Sequence, residues 1–577
     1  MEHHAEVLHG RTWLPYMPGK RDQLAMLLIF AVLFALAMGA RQMTGPLPTA
    51  HAAQISLSPS ALPGYTLRTI LRMLAALAAS LLFTLTYATL AAKSRRAEMV
   101  LVPLLDVLQS VPILGYLSFT VVFFMSLFPG QVMGAELAAI FAIFTSQAWN
   151  MAFSFYQSLR TVPRDLDEAS VSFRLSGWQR FWRLEVPFAV PGLVWNTMMS
   201  MSGGWFFVVA SEAISVGNVQ ISLPGVGSYV ARAIQTRDLA AVAWALLAMT
   251  VAIVIYDQLL FRPIVAWADK FRVEQTASQQ LPRSWLLDVL RRAELVQRAA
   301  APIGALLKRS ARARLYLPIH LRLDRLPISR ETGDLLWYGT FVILGAYALY
   351  HLFQFVRPVL SWSDISLVAH NGILTFLRVL ILIVLASIVW VPIGVMVGLR
   401  PAWAERVQPV AQFLAAFPAN LLFPVAVYLI VHLRLTPQIW LCPLMILGTQ
   451  WYILFNVIAG ATAFPTDLRE AATSFRLRSH AWWRKVMLPG IFPYFVTGAI
   501  TASGGAWNAS IVSEVVNWGD TRLDASGLGA YIARMTEAGD YPHITLGVAT
   551  MSILVIATNR LLWRPMYAYA ERRTRLD

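Results

Sequence analysis

An all-α polytopic membrane fold, about 12 transmembrane helices built as two parallel six-helix repeats, is what three features of this sequence predict. Of its 577 residues 57% are hydrophobic and only 14% are charged, with a mean hydropathy of +0.57, which is too apolar for a soluble multidomain protein. Apolar stretches long enough to cross ~30 Å of hydrocarbon as helices recur along the whole chain. The two halves also match at a constant offset of 302 residues, as from Trp149 to Trp451.

Taken in order, residues 1–22 form a polar N-terminal tail. The first repeat, 23–269, holds apolar spans near 23–40, 64–91, 100–127, 134–157, 188–213 and 240–262. The run from Gln23 to Ala40 reads as a span and not as a cleaved leader, because a long polar lead precedes it and the second half has a matching extra span. A basic linker follows at 270–333. The second repeat, 334–570, has spans near 334–356, 366–398, 408–432, 436–460, 490–515 and 543–563, and a tail closes the chain at 571–577. In the linker, Trp285, Leu286, Leu290, Leu306 and Leu307 alternate with Arg291, Arg292, Lys308 and Arg309. That pattern fits a basic amphipathic helix on membrane lipid and equally a solvated tether, with Pro302-Ile303-Gly304 interrupting it.

The formal charge of +16 does not point to nucleic acid, because the basic residues are not gathered on one domain. They sit between spans, at Lys93, Arg95 and Arg96, at Arg160 and Arg164, and at Arg572, Arg573 and Arg575, while 41–63 and 128–133 are nearly free of them. The positive-inside rule then puts both termini and the linker in the cytoplasm. The lone Cys442 permits neither an internal disulfide nor a cysteine zinc site. No H-E-x-x-H and no G-x-x-x-x-G-K-[ST] occurs, so no metal or nucleotide site is recognisable and the chain does not read as an enzyme. ATP, if it is used, belongs to another subunit.

The repeat pairs Glu168 with Glu470, Ser172-Phe173-Arg174-Leu175 with Ser474-Phe475-Arg476-Leu477, Pro187 with Pro489, Ser211-Glu212 with Ser513-Glu514, and Arg262-Pro263 with Arg564-Pro565. Parallel repeats imply a pseudo-twofold axis along the membrane normal. Upstream, the first copy carries four extra residues, Phe128-Pro129-Gly130-Gln131.

Between the fourth and fifth span of each half lies a charged loop, 160–187 and 463–489. Pro163 and Pro465 suit a helix start, and Asp165, Asp167 and Glu168 favour its positive end. A catalytic pair is not supported, since nothing supplies a pocket to tune Asp165 and Glu168. Glu168-Ala169-Ser170, then Trp178-Gln179-Arg180-Phe181, Arg183 and Pro187, resembles the EAA loop of ABC importer permeases, in particular the nitrate/sulfonate/bicarbonate branch. The second copy, Glu470-Ala471-Ala472 to Pro489, is similar, as are Gly225-Val226-Gly227-Ser228-Tyr229 and Gly527-Leu528-Gly529-Ala530-Tyr531.

The resemblance implies a fused, duplicated permease of the bacterial inner membrane that binds no cofactor itself. ATP-Mg would sit on two cytoplasmic ATPase subunits. A periplasmic or lipid-anchored substrate-binding protein would deliver a small solute, an anion such as nitrate, sulfonate or bicarbonate. It assigns ATPase coupling to Asp165, Glu168, Ala169, Ser170, Arg174 and Trp178, and to Asp467, Glu470, Ala471, Ala472, Arg476 and His480. Arg174 and Arg476 stand where the family carries glycine, so the turn is expected to differ and the arginines to pair with acids on the ATPase. The alternative, a six-plus-six secondary transporter of the major-facilitator type, shares the span count but has no need of an EAA loop.

For the translocation path the candidates are Ser211, Glu212, Ser513 and Glu514 near the outer face, Trp149 and Trp451, Trp205 and Trp507, and Asn508, which has no counterpart in the first copy. Carboxylates within spans demand partners. Arg232 and Arg534, which follow in the chain, are the expected ones.

Overall fold

The computed structural model describes residues 20–43, 55–216, 219–271, 284–314, 330–359, 361–477 and 479–574. The first half comprises α1 (Lys20–Met43), α2 (Leu62–Lys93), α3 (Arg95–Leu108), α4 (Ile113–Leu127), α5 (Val132–Arg160), the short α6 (Arg164–Ser172) and α7 (Gly177–Arg180), and α8 (Val186–Glu212). A ribbon, β1 (Ala213–Val216) with β2 (Val219–Ser222), leads to α9 (Val226–Gln235), α10 (Leu239–Tyr256) and α11 (Arg262–Ala268). The linker contributes α12 (Trp285–Arg292) and α13 (Glu294–Arg312).

The second half follows the same order. It has α14 (Arg330–Val356), α15 (Trp362–Gly398), α16 (Pro401–Ala416), α17 (Phe423–His432), α18 (Pro437–Trp440), α19 (Cys442–Leu447), α20 (Gln450–Thr462), α21 (Thr466–Ser474), α22 (Ser479–Trp482) and α23 (Leu488–Ser513). The ribbon β3 (Val515–Trp518) with β4 (Thr521–Asp524) precedes α24 (Leu528–Ala538), α25 (Tyr541–Thr558) and α26 (Arg564–Thr574). The linker helix α13 runs through Pro302 without a break. The proline removes one backbone donor in the exposed middle of the helix, where water can satisfy the freed carbonyl.

Local chemistry repeats with the fold. Asp238 caps α10 by accepting from Ala241 N at 2.9 Å, and Asp540 caps α25 by accepting from His543 N at 3.2 Å, each satisfying one donor that the first turn leaves open. A π-helical turn joins α7 to α8 at Phe181–Glu185 and recurs between α22 and α23 at Trp483–Met487. A second pair lies at Asp257–Phe261 and Asn559–Trp563. Each wide turn is inherited at the repeat offset, which marks it as a designed feature of the half.

Among the described residues, seven helices are long and apolar enough to cross a membrane, or up to ten when each bent pair counts as one span. The other two expected spans, 23–40 and 188–213, correspond to α1 and to the 27-residue α8. Three of the expected spans are bent. Stretch 100–127 bends by 102° between α3 and α4, 408–432 bends by 77° before α17, and 436–460 bends by 45° between α19 and α20. Proline explains the first two: Pro112 (ψ 122°) and Pro418 (ψ 106°) sit at the corners, where each lacks a donor and restricts the residue before it. The third break falls at Gly448-Thr449 and has no counterpart in the unbroken α5.

The bends let each half enter the other. Ile113, Leu114, Leu117 and Val121 of α4 belong to the apolar core that α15, α20 and α23 build, while Leu421, Phe413 and Phe417 pack on the core of the first half. Polar ties cross at the same places. Asn508 Oδ1 accepts from Ile113 N at 2.7 Å, and Asn420 Nδ2 donates to Phe206 O at 3.0 Å. Arg564 pairs with Asp106 at 2.8 Å and Arg237 with Asp520 at 3.1 Å.

Candidate functional site

Three features lie in sequence along the helices α8 and α23: a pair of exposed loops at one end, a cavity between the halves, and a buried charge cluster at the other end.

In the loops, α6 and α21 each span nine residues and end on arginine in the left-handed region, Arg174 at φ 48° and Arg476 at φ 51°. The turn therefore does not differ as expected. Leu175 N donates to Ser170 O at 3.1 Å and Leu477 N to Ala472 O at 3.0 Å, the bond that closes a glycine-type helix end. An arginine there costs roughly 1–2 kcal/mol. Anchoring offsets it: Ser170 and Ala472 are buried beneath the turn, and in the first loop Ser176 and Gln179 form a reciprocal capping box that fixes the start of α7. Arg174→Gly and Arg476→Gly should accordingly leave the unfolding midpoint of the purified chain unchanged or raise it, by up to ~1 kcal/mol. A fall in ATPase capture by such a variant with no fall in its midpoint would assign the guanidinium to the partner.

Asp165, Glu168, Arg174, Asp467, Glu470, Arg476 and His480 are exposed, and Ala169 and Ala471 are half-buried. Phe173 and Phe475 beside them are 77% and 79% exposed. The two loops are not equivalent. Arg180 bridges Asp167 at 2.7 Å and Glu185 at 3.0 Å, and Lys93 meets Glu185 at 2.8 Å; Trp482, Arg469 and Met487 stand at the repeat positions of Arg180, Asp167 and Glu185. Trp178 Nε1 donates to Ser310 O at 2.8 Å and Gln179 Nε2 to Arg312 O at 2.7 Å, so both hold the end of α13. His480 and Ala481 occupy the corresponding places in the second loop.

At the far end, Glu212 and Glu514 are 0% and 2% exposed, and their partners are not Arg232 and Arg534. Arg72 of α2, itself fully buried, donates to Glu136 through Nε at 2.6 Å and Nη2 at 2.7 Å and to Glu212 through Nη1 at 2.6 Å. Thr69 Oγ1 and Gly227 N add donors to Glu212, each at 2.7 Å. In the second half Arg378 Nη1 reaches Glu514 at 3.0 Å, Thr375 Oγ1 at 2.8 Å and Ala530 N at 3.0 Å. Gln438 replaces Glu136 and accepts from Arg378 Nη2 at 2.9 Å. Arg232 instead donates to Gln235, and Arg534 pairs with Asp524. The physical reason is direction: a residue at the end of α8 meets the start of α2 across the bundle, whereas Arg232 sits exposed near the end of α9.

These contacts also account for the glycine pairs. A Cβ at Gly225 or Gly527 would lie 2.3 Å from the carboxylate of Glu212 or Glu514, and one at Gly227 would lie 2.2 Å from Val209 O. Ser211 and Ser513 are wholly buried in the same region. Glu212 and Glu514 therefore belong to a structural cluster of ion pairs and hydrogen bonds, Ser211 donates to Val208 O of its own helix, and none of the four candidates lines the cavity between the halves.

That cavity, about 280 Å³, is lined by Trp149, Asn150, Ser202, Gly203 and Phe206 from the first half and by Thr449, Tyr452, Gly505, Trp507, Asn508 and Trp563 from the second, among others. It unites three of the proposed path residues. Trp205 faces a separate cleft of about 1350 Å³ beside α16 and packs edge-on against Tyr256 at 5.4 Å. Trp451 packs on Trp390 at 5.0 Å. Trp563 and Thr449 were missed by sequence reasoning; the repeat offset gives no signal for them, since Phe261 and Gln147 hold the matching places.

Two pseudo-equivalent helical halves, with exposed helical loops at one end and a cavity between them, define a duplicated membrane permease of the binding-protein-dependent type. The description "Binding-protein-dependent transport system inner membrane component" matches residues 80–261 and 390–576, and this chain belongs to that family, the permeases of ABC importers. It is 30% identical over 164 residues to the bicarbonate transport system permease protein CmpB of Synechocystis, covering 28% of this chain and 55% of that one. It is 23% identical over 185 residues to the nitrate import permease protein NrtB of Leptolyngbya laminosa (32% and 63%) and 31% identical over 137 residues to the glycine betaine/proline betaine permease protein ProW of Escherichia coli (24% and 36%). The matched stretch thus covers between about half and two thirds of the bicarbonate and nitrate relatives, 55% and 63% of their lengths.

Proposed function

We propose that this chain is the fused transmembrane subunit of an ATP-driven importer that moves a small anion, such as nitrate, a sulfonate or bicarbonate, across the bacterial inner membrane by alternating access. Two cytoplasmic ATPase subunits carry the ATP-Mg and dock on loops 160–187 and 463–489. A periplasmic or lipid-anchored binding protein delivers the solute at the opposite face, and both termini of the chain are cytoplasmic. The anion class is supported by the bicarbonate and nitrate relatives.

The observation that carries this reading is the pair of loops, each with an exposed acidic helix and an exposed phenylalanine on a buried foot. Helix α7 runs through its π turn into α8 without interruption, and α22 likewise into α23. A displacement of either loop is therefore delivered by a rigid rod, at ~1.5 Å of length per residue, to Ser202 and Gly203 or to Gly505 and Asn508 in the cavity wall. Two such rods, facing each other across the cavity, form a bistable interface of the kind that switches between discrete states. Placing Glu168→Ala and Glu470→Ala in one chain should cut ATPase capture and uptake by at least about tenfold, as expected when contacts of charged groups are lost. Co-purification with the ATPase, read beside uptake in vesicles, tests this; unchanged capture and unchanged uptake would sink the coupling role.

A further inference from the structure

The two seams between the halves are built alike and closed differently. Carrying the repeat register across the four-residue insertion places Asp106 on Gln412 at an offset of 306, while Asp257 falls on Asn559 and Arg262 on Arg564 at 302. At one seam Arg564 reaches across to Asp106 of α3 at 2.8 Å and ties the halves together. At the other, Gln412 of α16 offers no charge to match, and Arg262 pairs with Asp257 of its own half at 3.1 Å. That seam holds the cleft of about 1350 Å³, with Arg262, Asp257 and Gln412 all in its lining.

The walls have diverged as well. Met199, Met201, Ala415 and Ala416 of the cleft stand at the repeat positions of Thr501, Ser503, Gln109 and Ser110, which line the cavity between the halves. The cleft is thus the apolar copy of a polar site, and methionine adapts readily to an irregular apolar guest. Trp195, Val254 and Val410 in its lining are exposed, so its apolar rim is open along the spans, where the surroundings are hydrocarbon. Helix α10 has 18 residues, about 27 Å at ~1.5 Å per residue, close to the ~30 Å of a hydrocarbon core. Asp257 follows it directly and Arg262 opens α11, which puts the pair at the level of the lipid headgroups.

We infer that this cleft is a site for one zwitterionic phospholipid, with its acyl chains against the methionines and its headgroup on Asp257 and Arg262. Acyl chains gain little on leaving a bilayer as apolar as the wall, so selectivity falls to the headgroup. The side chains of Arg262 and Asp257 are 48% and 42% exposed, and an ion pair so exposed is worth little by itself and parts readily. The guanidinium then donates two parallel N–H bonds to the phosphate, and the carboxylate accepts from a primary ammonium. An anionic headgroup without an ammonium meets Asp257 as a like charge. Protein bridges the halves at one seam, through Asp106 and Arg564, and lipid bridges them at the other. The site does not depend on which solute the chain moves.

The test is native mass spectrometry of the purified full chain, stripped of lipid in detergent and titrated with dioleoyl phosphatidylethanolamine beside dioleoyl phosphatidylglycerol. One equivalent of the ethanolamine lipid should bind at least about fivefold more tightly than the glycerol lipid, the fold-change of a lost bond to a charged group. Asp257→Asn should reverse that preference, since only the cation remains, and Arg262→Gln should weaken both lipids. Arg522→Gln, which breaks a similarly exposed pair with Glu537, should change neither. Phosphatidylglycerol that binds the unmodified chain as tightly as phosphatidylethanolamine, or Asp257→Asn and Arg262→Gln variants that titrate like the unmodified chain, would overturn the site.

Discussion

Arg72→Ala is expected to unfold the first half at temperatures where the unmodified chain is intact, a loss of about 3–5 kcal/mol. The guanidinium is the cation that holds Glu136 and Glu212 together, and all three side chains are no more than 1% exposed. Removing it leaves two carboxylates facing each other without water. The second half is a built-in control. Arg378 is 14% exposed and serves one carboxylate, because Gln438 stands where Glu136 stands. Arg378→Ala should therefore cost clearly less, and Glu136→Gln, which copies the second half into the first, should be tolerated better than either. Thermal unfolding of the purified variants in detergent ranks the three; equal midpoints for Arg72→Ala and the unmodified chain would show that the cluster carries no stability.

The residues on one side of that cluster were legible and those on the other were not. Glu212 and Glu514 stand out because a carboxylate at the end of an apolar span must find a partner. Arg72 lies 140 residues earlier in the chain, inside the apolar run Ile70-Leu71-Arg72-Met73-Leu74, and nothing local connects the two. A signal existed nonetheless. Thr69 and Arg72 align with Thr375 and Arg378 at an offset of 306, which exceeds 302 by the length of Phe128-Pro129-Gly130-Gln131. Carrying the register across that insertion would have paired the buried arginines.

Helices, repeat and loop positions were likewise readable, because periodicity and charge are local properties. The bends at Pro112 and Pro418 were overridden by the count of apolar residues, since hydropathy does not register a missing donor. The turns at Arg174 and Arg476 were misjudged for the opposite reason. Local preference alone argues against a left-handed arginine, and only the buried foot beneath it and the bond from Leu175 to Ser170 make it affordable. The lining of the cavity depends on how two halves meet, which the repeat cannot report where its copies differ.

Gly227→Ala should be nearly as damaging as the loss of Arg72, through geometry in place of charge. Its Cβ would sit 2.2 Å from Val209 O and 3.0 Å from Val209 Cα, both backbone atoms of α8, so no side chain can rotate away. The start of α9 must retreat, and the overpacking alone costs roughly 1–3 kcal/mol. Retreat also withdraws Gly227 N from Glu212, a bond of 2.7 Å, and a hydrogen bond to a charged group contributes about 1.5–3 kcal/mol. The methyl thus strikes the same carboxylate that Arg72 serves, from the opposite side. Gly529→Ala meets Ser510 O at 2.4 Å and should be nearly as severe, although there the donor to Glu514 is the N–H of Ala530, one residue further along. Gly304→Ala, at a position with open space around it on the linker helix, should instead raise stability slightly, since glycine within a helix is ~1 kcal/mol worse than alanine. Unfolding midpoints of the three variants decide the matter: a Gly227→Ala midpoint no lower than that of Gly304→Ala would refute the close approach of α9 to α8 and, with it, the seat that the glycines form for Glu212.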